Sequence, residues 1–142
     1  MMQNNNLKKA IDLLKTQHLT CAIVKNTTIY TSTARGIQTL LTCYKENKIE
    51  QGSFAAYKFV GKAAAFLYVL LGVRALYADV ISKPALAVLE NANITVQYEM
   101  LTEAIRNRTD TGFCPMETAV WDINDASEAL ATVEKTLAKL QK

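Results

Sequence analysis

The sequence predicts an α/β protein: a three-layer α/β/α arrangement around a mixed sheet of about five strands, the last of them parallel. Three observations carry this. Short apolar runs alternate with helical patterns from about residue 54 to residue 98, and alternation at that spacing implies parallel strands joined by helical crossovers. Two β-rich runs separated by Asn26-Thr27 form a hairpin pattern before them. Amphipathic helical patterns open and close the chain. At 142 residues the chain fits one domain, 1–142, and can bury a core of useful size.

Leu7, Ala10, Ile11, Leu13 and Leu14 share one helical face, which predicts a first helix from about Asn5 to Gln17. Thr20 to Lys25 and Thr28 to Ser32 read as the two hairpin strands, although Asn-Thr is a weaker turn signal than Asn-Gly. Ile37, Leu40, Leu41 and Tyr44 mark a second helix that fades near Asn47. A polar loop containing Gly52 follows. Ala55 to Val60 is then a strand, Lys62 to Leu71 a helix, Ala75 to Ile81 a strand, Ser82 to Ala92 a helix and Ile94 to Tyr98 a strand. Ser82 suits an N-cap, and Pro84 falls in the first turn, where its missing N–H costs little. The helix from Lys62 is apolar almost all round, as a helix packed on both sides would be. Met100 to Arg108 reads as a short helix and 109–115 as a loop. Asp125 with Glu128 resembles a capping box before a last helix whose apolar stripe is Ala126, Ala129, Leu130, Val133, Leu137 and Leu140.

Half of the residues are apolar and 20% are charged, with five glycines and two prolines. This is an ordinary globular composition. The net charge of +3 is spread along the chain, whereas a nucleic-acid footprint is dense and clustered. Nucleic acid is therefore not the expected partner. The longest apolar run, Ala63 to Val73, is well short of the ~20 residues of a membrane span. The polar N-terminus does not read as a secretory signal, so the expected location is the cytoplasm. Three cysteines, Cys21, Cys43 and Cys114, and one histidine, His18, supply neither a disulfide framework nor a zinc ribbon. Cys21 and Cys43 fall on apolar faces and read as core. Trp121 reads as a packing anchor, and Tyr57, Tyr68, Tyr77 and Tyr98 as core or sheet-surface residues.

In open α/β sheets ligands bind beyond the carboxyl ends of the parallel strands. Three such ends meet at one rim here: Arg35-Gly36 after the hairpin, Gly61-Lys62 after the next strand, and Ser82 after the one beyond. The helices that start there direct free N–H groups and positive dipole ends at the rim. With Arg35 and Lys62 this constellation suits an anion, most simply a phosphate. The plain alternative is a solvated lysine behind a glycine that turns a strand into a helix. A nucleoside-triphosphate P-loop is excluded, because Ala63 follows the lysine and the upstream glycine is absent. A second candidate is the loop carrying Cys114 and Glu117, where Arg106 and Arg108 could lower a thiol pKa. No histidine lies near it, so a cysteine–histidine nucleophile is disfavoured. Asp79 is an unusual acid inside a strand.

The run VGKAAAFLYVLLGVRALYADVISKPALAVLENANI, followed by IRNRTDTGFCPME, resembles the bacterial family called domain of unknown function 1893. The resemblance extends to about Glu117. It implies a cytidine deaminase-like fold, in which parallel last strands match the tRNA-adenosine deaminase branch. Zinc deaminases carry His or Cys with Glu at one helix start and Pro-Cys-x-x-Cys at the next. The corresponding positions here are Ala34-Arg35-Gly36 and Val60-Gly61-Lys62-Ala63-Ala64, and none can bind zinc.

The expectation is thus a catalytically silent, deaminase-like domain with no cofactor and no metal. It would bind a small anionic or nucleotide-like ligand through Arg35, Gly36, Gly61, Lys62 and Ser82, with Arg106, Arg108, Cys114 and Glu117 closing the mouth. Two alternatives stand beside it: an enzyme that uses Cys114 as nucleophile or redox group, and a homodimeric interaction module.

Overall fold

The elements follow in the order helix α1 (Met2–Thr16), strands β1 (Cys21–Lys25) and β2 (Thr28–Ser32), helix α2 (Gln38–Lys45), strand β3 (Phe54–Val60), helix α3 (Lys62–Leu71), strand β4 (Ala75–Ser82), helix α4 (Lys83–Asn91), strand β5 (Thr95–Thr102) and helix α5 (Ala126–Leu140). The structure is a computed structural model that describes residues 2–33, 37–103 and 118–140. One mixed sheet runs β2-β1-β3-β4-β5. β1 is antiparallel to both of its neighbours, and β3, β4 and β5 are mutually parallel. The hairpin closes at the Lys25–Thr28 pair. Asn26 takes the left-handed conformation there (φ 56°), which asparagine tolerates better than most residues.

The two faces of the sheet carry separate cores. Ala22, Val24, Ala56 and Tyr77 pack with Ala10 and Leu14 of α1. Cys21, Ile23, Ala55, Tyr57, Leu76 and Ala78 face a larger core with α2, α3, α4 and α5. α3 is the centre of that layer, in contact with α2, α4 and α5. Its Leu67 and Tyr68 are fully buried, which is why the helix is apolar on every side.

Strand alternation slips by one residue at a single row. Tyr57 and Val60 belong to the same core, as do Ala78 and Ile81, although a period of two would send each pair to opposite faces. The ladders break at the same place. Lys58, Asp79 and Glu99 fall between paired residues on β3, β4 and β5 and make no ladder pair themselves. Lys58 N–H is bonded instead to the Thr20 carbonyl at 3.0 Å.

Two expectations are corrected. The short helix expected from Met100 does not start there, because Met100, Leu101 and Thr102 continue the ladder opposite Val80, Ile81 and Ser82. The remainder of that segment lies outside the described residues. Trp121 is not the buried packing anchor expected: it is 43% exposed, and its carbonyl accepts a hydrogen bond from Lys62. At the last helix Asp125 Oδ2 accepts the Glu128 N–H at 2.9 Å, as an N-cap does.

Candidate functional site

Val60 pairs with Ile81, so Gly61 and Ser82 stand side by side where β3 and β4 give way to α3 and α4. Gly61 is the N-cap of α3 and provides no side-chain cap. The first turn is Lys62-Ala63-Ala64, and all three residues are buried. Lys62 is only 6% exposed, which corrects the reading of a solvated lysine. Its ammonium donates to the Trp121 carbonyl at 2.6 Å and lies 5.8 Å from the Phe66 ring centre, within cation–π range. A buried ammonium needs hydrogen-bond partners to offset its lost hydration. The turn before α5 supplies one and so fixes the charge at the start of α3.

The start of α4 offers the rim less than the sequence suggests. Ser82 is fully buried, and its hydroxyl accepts the Ala85 N–H at 3.3 Å. Pro84 has no N–H to give. The α4 terminus is therefore largely satisfied from within, and the anion-seeking end at this rim is α3. Lys83 turns outward and pairs with Glu103 at 2.9 Å, both side chains exposed. Such a pair adds little stability. Arg35, Gly36, Arg106, Arg108, Cys114 and Glu117 lie outside the described residues.

Zinc does not fit here. A deaminase-like arrangement would need thiolate or imidazole donors at the start of α3, where the chain presents glycine, a buried ammonium and two alanines. Among the described residues no group of three His, Cys, Asp or Glu side chains is placed to hold a metal ion. Cys21 and Cys43 are fully buried and free of disulfides. Burial pushes the Cys21 thiol up to about 12, and its sulfur lies 3.8 Å from the Tyr68 hydroxyl. Both thiols are core groups and not nucleophiles.

The opposite face carries a polar cluster that the sequence reading missed apart from Asp79. Lys15, His18, Lys58, Asp79 and Glu99 line a shallow concavity of about 280 Å³. The Tyr77 hydroxyl lies 2.7 Å from Asp79 Oδ1 and 2.9 Å from Glu99 Oε2, so one phenolic proton serves two carboxylates. Lys15 Nζ pairs with Glu99 at 3.0 Å and sits 5.4 Å from the Tyr77 ring centre. The Lys15 and Tyr77 hydrogen bonds hold the Glu99 carboxyl below its ordinary 4.5. Burial and the two acceptors raise the Tyr77 phenol. A signal for this cluster is present in the sequence: Lys58, Asp79 and Glu99 interrupt three apolar strands at the same interval that separates register partners.

Among the described residues no helix is long and apolar enough to cross a membrane. Against known proteins, a family model described as Domain of unknown function (DUF1893) matches residues 9–137. A crystal structure of a DUF1893 family protein from Thermotoga maritima is 25% identical, with a TM-score of 0.86, over 92% of this chain and 89% of that one. No curated protein matches.

Proposed function

The chain belongs to the DUF1893 family, and on that premise we propose that it is a binding module for a small anionic, nucleotide-like ligand, built on a cytidine deaminase-like frame without zinc chemistry. The observation that carries this reading is the buried Lys62 ammonium at the uncapped start of α3. A cation at a helix N-terminus opposes the dipole. An anion at that spot would be stabilised by both positive ends at once. The carboxyl ends of parallel β3 and β4 are also where open α/β sheets receive ligands. The order helix, hairpin, helix, strand supports the deaminase-like frame. The reading assigns the module to the bacterial cytoplasm, where buried free thiols such as Cys21 and Cys43 stay reduced.

The test is a thermal-shift panel of nucleoside mono-, di- and triphosphates with the matching nucleosides. Phosphorylated members should raise Tm by several degrees, as binding to the folded state requires, and the nucleosides should not. Lys62→Met keeps most of the buried side-chain volume and should abolish the shift. A panel in which no phosphate compound stabilises the protein, or in which Lys62→Met responds like the wild type, contradicts the proposal.

A further inference from the structure

We propose that the concavity at the C-terminal end of α1 binds a small zwitterion, a free α-amino acid with an apolar side chain: Asp79 takes its ammonium group and Lys58 its carboxylate. The charges that line the concavity leave one of each sign over. Lys15 and Glu99 neutralise each other in a 3.0 Å pair. Lys58 and Asp79 remain, on neighbouring strands in the row that makes no ladder pair. Among the described residues neither side chain enters an ion pair, with the other or elsewhere. Tyr77 supplies the reason on the acid side. Its side chain is only 2% exposed, and its hydroxyl holds Asp79 Oδ1 at 2.7 Å. The carboxylate is thus anchored through one oxygen and keeps the other as an acceptor. The Lys58 side chain is exposed, and its ammonium enters no hydrogen bond among the described residues. Interrupted ladders are common beside binding sites, where they re-aim side chains; here three strands share the interruption.

The ligand class follows from this arrangement. A simple anion would meet the like charge of Asp79, and a simple cation that of Lys58. A molecule that carries both charges is matched twice. Neighbouring strands lie about 4.8 Å apart, so one small molecule can reach both side chains. Leu14 and Leu19 give the concavity an apolar wall, which suits an apolar side chain. Its volume of about 280 Å³ falls just below the range of drug-sized pockets, about 300–1,000 Å³, as fits a smaller ligand. His18, the single histidine of the chain, also lines the concavity. It closes α1 in the left-handed conformation, a position that α2 and α4 give to Asn47 and Asn93. Histidine is less usual there than asparagine, and its imidazole brings a further hydrogen-bonding group to the rim.

The experiment is calorimetric titration of the protein with the apolar standard amino acids, leucine and phenylalanine among them. At least one should bind with one site per chain. The single-charge analogues of leucine, 3-methylbutylamine and 4-methylpentanoate, should bind about tenfold more weakly or not at all, as the loss of one charged hydrogen-bond partner requires. Lys58→Met and Asp79→Asn should each weaken binding by a similar factor with an unchanged circular dichroism spectrum, and Lys62→Met should bind like the wild type. A wild type that binds none of these amino acids at millimolar concentration overturns the proposal. So does a single-charge analogue that binds as tightly as leucine, a Lys58→Met or Asp79→Asn variant that binds like the wild type, or binding that Lys62→Met alone abolishes.

Discussion

At the residue scale, the side chains of greatest chemical interest are those whose polar atoms are committed. Lys62 is buried at 6% exposure and anchored by the Trp121 carbonyl; Ser82 spends its hydroxyl on Ala85. The sequence showed that Gly61, Lys62 and Ser82 sit where strands become helices. It could not show which polar groups were already satisfied, since the Lys62 partner lies 59 residues away. Tyr77 makes the sharpest prediction at this scale. Replacing it with Phe removes one of the two hydrogen bonds that hold down the Glu99 carboxyl, so its pKa, followed by carboxyl NMR, should rise toward 4.5 while the Lys15 contribution remains. The sign of the stability effect follows. A carboxyl depressed in the folded state stabilises above its ordinary range, and that contribution disappears as pH falls through the depressed value. Tyr77→Phe should therefore begin its acid-side loss at a higher pH than the wild type. An unmoved Glu99 titration would rule out the phenol as its partner.

At the element scale, the strands and helices were legible almost throughout, because period-two and period-3.6 patterns are local properties. The helix ends were legible in part. α1, α2 and α4 each close with an N–H bonded five residues back, at Leu19–Leu14, Lys48–Cys43 and Ile94–Leu89. In each case a left-handed residue precedes the donor: His18, Asn47 and Asn93. Asparagine is a familiar residue at that position, and histidine is less so. α3 ends on Gly72 with φ 73°, and an added Cβ there would lie 3.1 Å from Gln51 Cγ. Gly72→Ala should cost about 1–2 kcal/mol of folding stability through the left-handed conformation, measured by urea unfolding. A variant as stable as the wild type would show that the α3 end can rearrange. The misread element is the end of β5. Met100 and Leu101 look equally apolar in a helix or a strand, and only the ladder to Val80 and Ile81 decides between them.

At the scale of the whole molecule, the sheet order places two features that local patterns cannot. Parallel β3 and β4 bring Gly61 and Ser82 to one rim. The concerted slip at Lys58, Asp79 and Glu99 is the other, because it needs three aligned strands at once. The central claim remains that an anion is held at the start of α3. The most direct measurement is a titration of ¹⁵N-labelled protein with the best-binding nucleotide. The largest amide shifts should fall at Gly61, Lys62, Ala63 and Ala64, saturate with one site per chain, and vanish in Lys62→Met. Shifts that gather instead at Lys15, His18 and Lys58, leaving the start of α3 unmoved, would contradict the account.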